Sequence, residues 1–569
     1  MEKGINMRDS LLNQLKSLCH GSQEAVQSGA HFSELDKYLH VKRPIDNEIC
    51  NHMDEILRVG GGILLLVGSA GDGKSHMISY LKSIERYKDF VFYNDATEGC
   101  SPEISAVETL KFALGDYRTA TLNETSSKTV LAVNIGKLQD LVENDEFREG
   151  FADLYTVADA IANNDIVDDS YPRIKVVSFA HRQAFELILD EDVDYPIKSD
   201  FMSEIMYRIT QPILTNPFYN AYLETKATPG THDVHEVVAM NYRLLMQENI
   251  RNTIVNLIIE AIVRFKLVLT PREFLDFIYC VLVPPKWSKY GRRTDFFSSQ
   301  LPSLLYDSNG GKIQQAISRL DPLKYSSLLH DNELSKFYAS FTFDKSCIDL
   351  DLLDEEIVEY YTGTLSQLYN ASSGQGDRNN KGNIAVLIFR LNRLVKYESY
   401  SAPYKKFLKD IAGYYASKAA VLSEINEMVK MSVPRLYGSY IEEPDFVPLN
   451  LQGSNYKIFT SLQIPEADIA PRKPFNVEYP FIFDLYFNTE WNFSTELIPL
   501  KIDFPLYEHM YELRNGKLSS HFDGEKNLQF SNFVRRLSKF SDAKKSLTIV
   551  DSDNNKHKLT NKYNQIQLH

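Results

Sequence analysis

Gly68-Ser-Ala-Gly-Asp-Gly-Lys-Ser75 satisfies the spacing G-x-x-x-x-G-K-[ST], with an extra glycine at position 71. These residue types suit one task, the holding of a polyphosphate. Glycines let the backbone curl until several N–H groups converge on phosphate oxygens. Lys74 would reach the β- and γ-phosphates of ATP, and the Ser75 hydroxyl would be a Mg²⁺ ligand. A helix starting here would turn its positive end toward the anion. The expected binding set is Gly68, Ser69, Ala70, Gly71, Asp72, Gly73, Lys74, Ser75 and His76.

Holding ATP is not hydrolysing it. Hydrolysis needs an acid for the Mg²⁺ shell and a group that polarises the attacking water. Such groups end a strand that neighbours the loop. The stretch FVFYNDATEG offers Asp95 for the metal and Glu98 for the base. The same residues also suit a turn that caps the next helix. A second stretch, TVLAVNIGKL, ends its apolar run at Asn134. In an AAA-type ATPase a polar residue there would orient the water or touch the γ-phosphate. If that strand instead holds the Mg²⁺ position, it carries an amide where an acid is expected. Slow hydrolysis, or a switch that acts by shape, would follow. Both readings stay open. Arg182 and Arg272 are arginine candidates for the γ-phosphate.

Other clusters are weaker. Asp349 to Glu356 holds five carboxylates, which suit a helix N-terminus better than a metal-dependent nuclease. Arg390, Arg393 and Lys396 give one helix a basic side, which DNA phosphates or water would face. The five cysteines make no C-x-x-C pair, so neither a zinc site nor a disulfide framework is indicated.

The elements that must position the loop follow from periodicity. Four apolar runs read as buried strands: Ile63–Val67, Phe90–Asn94, Thr129–Asn134 and Ile174–Ala180. Between the second and third, Ser101-Pro102 opens a helix. Strand and helix alternation predicts an α/β fold, a P-loop NTPase domain of AAA type built on a parallel sheet. The expected organisation is a helical segment over 1–50, the NTPase domain over 51–190, a helical lid or extension over 191–435 and a mixed or β-rich domain over 436–569. Within the helical part, Thr270 and Glu273 form a capping box with Pro271 at the first helical position. The polar stretch Ala371 to Asn383 reads as a mobile loop. The final segment reads as a hairpin turning at Ser552 to Asn555.

Composition bounds the setting. A net charge of −14 argues against coating DNA by overall field, although Ser531 to His569 carries eight basic residues against three acids. No apolar run reaches membrane-spanning length, and the first residues lack the apolar core of a signal peptide. A soluble, cytoplasmic protein is expected.

Five segments in order, KYLHVKRPID, GSAGDGKSH, NDATEG, AVNIGKL and TPREFLDFIYCVLVP, resemble the DptF family of bacterial DNA phosphorothioation-dependent restriction proteins. The resemblance covers roughly residues 30 to 290. It departs at Gly99, where the family pattern has serine. It implies an ATP- and Mg²⁺-dependent subunit acting with DptG-like and DptH-like subunits against DNA that lacks the sulfur modification. DNA would be met directly or through that complex, without a membrane, and a homo-oligomer stays open. Lys74, Asp95, Glu98 and Asn134 are the catalytic candidates, and Ser75 and Asp95 the metal candidates. A signalling switch with little hydrolysis and a small-molecule phosphotransferase are the competing functions.

Overall fold

An apolar run without polar interruption has no solvent side, and β1 (Gly62–Gly68) is buried at every position. Its neighbours are β2 (Val91–Tyr93), β3 (Lys128–Asn134) and β4 (Ile174–Ser178). The four form one parallel sheet in the order β2-β3-β1-β4. Each coincides with an expected strand to within two residues at either end. The computed structural model describes residues 10–28, 32–94, 114–163, 171–179, 182–189, 193–227, 234–285, 293–324, 335, 352–370, 378–435, 446–449, 455–461, 464–469, 481–491, 494–517, 528–540, 545–562 and 565–569. Asp95, Glu98 and the helix expected from Ser101 lie outside them.

Side chains alternate along β1, so the sheet feeds two cores. Leu64 and Leu66 pack with Ile49, Met53 and Ile56 of the helix Pro44–Val59 and with Met77, Ile78 and Leu81 of the helix Lys74–Lys82. Ile63, Leu65 and Val67 pack with Leu138 and Leu141 of the helix Ile135–Val142 and with Leu154, Val157 and Ile161 of the helix Ala152–Ala162. Helices therefore cover both faces, the arrangement that buries parallel strands.

The chain divides into two compact units: Met1–Phe185, Ser199–Ile262 and Lys266–Glu398 in the first, Glu186–Lys198, Val263–Phe265 and Ser399–His569 in the second. This division cuts across the helical region expected over 191–435. The helices Ala402–Tyr415 and Ala419–Arg435 belong to the second unit. Aromatic packing is the reason: the Phe407 ring meets those of Phe483, Phe504 and Tyr507 edge-on, with centroids 5.2–5.7 Å apart.

The second unit carries the short antiparallel pair β5 (Glu186–Leu187) and β6 (Ile197–Lys198). It also holds two antiparallel sheets. β7 (Phe446–Pro448), β8 (Lys457–Ser461), β12 (Ser546–Val550), β13 (Lys556–Lys562) and β14 (Gln565–Leu568) form one, in the order β14-β13-β12-β8-β7. β9 (Ala467–Ile469), β10 (Phe483–Trp491) and β11 (Ser494–Ile502) form the other. The expected hairpin is β12–β13, with Val550 opposite Lys556. No described helix is long and apolar enough to cross a membrane.

Two expectations are corrected. Arg378 to Asn383 are not loop: they open the helix Arg378–Val395, because Ile384, Ala385, Ile388 and Leu391 just beyond are buried and pull the polar turn into register. Ala371 to Asp377 lie outside the described residues. Arg390 does not sit on a free basic side. It pairs with Asp321 at 2.6 Å, and Asp321 is buried. The acidic stretch behaves as a helix start: Asp354 accepts the Glu356 N–H, and Arg243 binds both Asp354 and Glu356 at 2.7 Å. Asp349 and Asp351 lie outside the described residues.

Candidate functional site

The loop runs from Gly68, the last residue of β1, to Lys74, the first of the next helix. Gly71 and Gly73 take φ of +89° and +93°, a region closed to most side chains. Gly68 is required for another reason: a Cβ there would lie 2.6 Å from the Asp72 carboxylate and 2.8 Å from Phe179 Cβ. The loop is braced from within. Asp72 Oδ2 accepts the Ser69 N–H, and Lys74 Nζ donates to the Ser69 carbonyl at 2.6 Å. Burial raises the Asp72 carboxyl above its usual range, against the opposing pull of the Ser69 N–H, Lys74 and Arg43. Among the described residues no hydrogen bond engages the N–H groups of Ala70, Gly71, Gly73 or Ser75. A curled loop with unclaimed N–H donors and a lysine amine fits an anion. Mg²⁺ would find the Ser75 hydroxyl here.

No protein-family model, curated protein or solved structure matches this chain. The site therefore has to be read from its own residues.

Sheet order decides which strand lies beside the loop. β3 pairs directly with β1, and Asn134 stands opposite Gly68 in the register. β2, which leads toward Asp95, pairs with β3 and is one strand removed from β1. The sequence leaves open whether the strand before Asp95 or the one ending in Asn134 lies beside the loop. Asn134 already has local work, since its side chain accepts the Gly136 N–H at 3.1 Å and caps the helix Ile135–Val142. Asn94, at the end of β2, keeps a buried Oδ1 without a hydrogen-bond partner among the described residues.

The loop is enclosed by parts distant in sequence. The helix Pro271–Leu282 starts against it: a Cβ on Gly71 would lie 3.2 Å from Thr270 Oγ1, and one on Gly73 would lie 3.8 Å from Pro271. The capping box is formed as expected, with Thr270 Oγ1 accepting the Glu273 N–H and Glu273 Oε2 accepting the Thr270 N–H. Arg272 lies half-buried in that first turn, with no hydrogen bond or ion pair among the described residues. Arg182, by contrast, binds the Ser178 carbonyl and Glu48 at 2.7 and 2.8 Å. Arg43, which the motif reading passed over, reaches to 3.4 Å from the Cβ position of Gly73. Its sequence signals are its place beside Pro44 at a helix start and its position within the segment KYLHVKRPID.

His76 faces His40, with Nε2 and Nδ1 3.0 Å apart. Tyr80 stacks on His40 at 4.0 Å between centroids, and Phe32 lies 5.3 Å from His76. Burial, with the His40 neighbour adding to it, pushes the His76 imidazole down to about 4. Burial lowers His40 as well. Two neutral rings thus form part of the packed wall behind the loop. Among the described residues no cluster of three metal-ligating side chains is present.

Proposed function

We propose that this chain binds and hydrolyses ATP as a P-loop subunit of a bacterial DNA phosphorothioation-dependent restriction complex. One observation carries the nucleotide part. A glycine loop with two left-handed residues and unclaimed N–H donors joins a central parallel strand to a helix N-terminus, with Lys74 at its root. The restriction setting comes from the segment resemblance and brings DptG-like and DptH-like partners with it.

On this reading the loop N–H groups hold the phosphates. Lys74 exchanges its Ser69 carbonyl partner for phosphate oxygens. Mg²⁺, if bound, would be held by the Ser75 hydroxyl and would supply positive charge against the phosphates. Asp95 would be the acid that helps hold that metal, Glu98 would take a proton from the attacking water, and Asn134 would orient it. The test replaces Lys74 by alanine. ATP affinity measured by calorimetry should collapse, and host restriction of unmodified DNA should cease. Unchanged restriction with Lys74→Ala would remove the nucleotide from the function.

A second reading, an ATP-dependent switch with little hydrolysis, draws on the amide of Asn134 in the strand beside the loop. Steady-state turnover of wild type, Asp95→Asn and Glu98→Gln separates the two. Loss of a substantial rate in both variants supports hydrolysis, and a negligible wild-type rate supports the switch.

A further inference from the structure

Several arginines inside the first unit spend their N–H groups on the protein. Arg173 donates to the Gly61 and Thr125 carbonyls, Arg208 to those of Tyr38 and His40, Arg251 to that of Met246. Arg390 binds Asp321. Arg43, like Arg272, makes no such hydrogen bond among the described residues. Its side chain is 19% exposed, yet its guanidinium makes no hydrogen bond among the described residues. The nearest acid is Asp46. Its Oδ2 accepts the backbone N–H of Arg43, and its Oδ1 forms an ion pair with the guanidinium at 3.6 Å, too long for a hydrogen bond. That Oδ1 is itself buried and accepts no hydrogen bond among the described residues. Two rings hold the guanidinium in place, Phe179 at 5.7 Å and Phe201 at 5.8 Å. A planar fork with five N–H donors, fixed by aromatic faces, ion-paired with Asp46 yet making no hydrogen bond among the described residues, can turn those donors to an anion at the glycine loop.

We infer that Arg43 donates hydrogen bonds to phosphate oxygens of a nucleoside di- or triphosphate held at Gly68–Ser75. The inference rests on the nucleotide reading above and adds a phosphate ligand 25 residues upstream of the start of the loop motif. Arg43 thereby ties the start of the helix Pro44–Val59 to the occupancy of the loop.

The experiment compares wild type, Lys74→Ala, Arg43→Met and Arg43→Lys by calorimetric titration with ATP, ADP, adenosine and inorganic tripolyphosphate. The nucleotide-free melting temperature is measured alongside. Methionine keeps the packing on Phe179 and Phe201 without the donors, and lysine keeps the charge without the fork. With Arg43→Met, affinity for ATP, ADP and tripolyphosphate falls about ten- to a hundred-fold, adenosine binding does not change, and the nucleotide-free melting temperature falls because buried Asp46 loses its ion-pair partner. Arg43→Lys recovers part of the loss. Wild-type ATP affinity in Arg43→Met, or an equal loss for adenosine and ATP, overturns the inference. A lowered nucleotide-free melting temperature with intact affinity makes Arg43 a folding residue and also overturns it. If Arg43→Met does not fold, Arg43→Lys decides by the same criteria. If Lys74→Ala loses ATP while the Arg43 variants keep it, this inference fails alone. If wild type binds no ATP, both readings fail.

Discussion

Gly68→Ala is a severe test of how tightly the loop is built. The backbone there carries no left-handed φ, so the cost is purely steric. The new methyl would sit 2.6 Å from Asp72 Oδ2 and 2.8 Å from Phe179 Cβ, about 1 Å short of van der Waals contact on both sides. Overpacking of this kind costs roughly 1–3 kcal/mol. Moving Asp72 also breaks its bond to the Ser69 N–H, adding about 1.5 kcal/mol. Restricting the unfolded chain returns about 0.5 kcal/mol. The net is a destabilisation of about 2–4 kcal/mol, local to the end of β1. Hydrogen exchange of the Leu64 to Val67 amides should then quicken by about thirty- to a thousand-fold. In the double variant Gly68→Ala/Asp72→Ala one of the two collisions is gone, so its cost should fall about 1–2 kcal/mol below the sum of the single changes. Additivity within about 0.5 kcal/mol, or wild-type exchange in Gly68→Ala, would refute this account of the loop.

Three further outcomes are expected. Asn134→Ala removes a helix cap and costs about 1 kcal/mol in urea denaturation; Asn134→Asp keeps the cap yet lowers ATP turnover, and turnover above wild type would instead mark this as the metal position. His76 is held neutral in the fold, down at about 4 against 6.5 when free, so the unfolded chain binds the extra proton between those values. Stability is therefore full above pH 6.5 and falls as pH drops toward 4; His76→Gln should flatten that slope in urea midpoints, and an unchanged slope would place the titration elsewhere. In the second unit, Tyr507→Phe deletes the 2.6 Å hydrogen bond to buried Asp410 and leaves Lys406 as its remaining donor at 3.1 Å. The expected loss is about 1.5–3 kcal/mol by chemical denaturation, and under 0.5 kcal/mol would contradict it.

The parts legible in the sequence are those set by neighbours along the chain. Ile63–Val67 reads as a buried strand because a run without a polar position has only one home, and Thr270-x-x-Glu273 reads as a cap because the box is four residues long. What escaped is set through space. Nothing local to Thr270 says that it will abut Gly71, and nothing local to Arg43 says that its guanidinium will lie beside Gly73. The order β2-β3-β1-β4 is equally silent, since a parallel strand's neighbour depends on where its crossover lands. Arg378 to Asn383 misled because a polar helix start and a polar loop share a composition, and the deciding burial comes only from Ile384 onward.

The second unit is stitched from Glu186–Lys198, Val263–Phe265 and everything after Ser399. During synthesis its first strands leave the ribosome about two hundred residues before the helices and sheets they join, a wait of roughly 10–40 s at ordinary elongation rates. The first unit, whose last segment ends at Glu398, can be complete by then. The protein is thus born in a set order, with the glycine loop in place before the second unit can close, and no single proteolytic cut releases either unit whole.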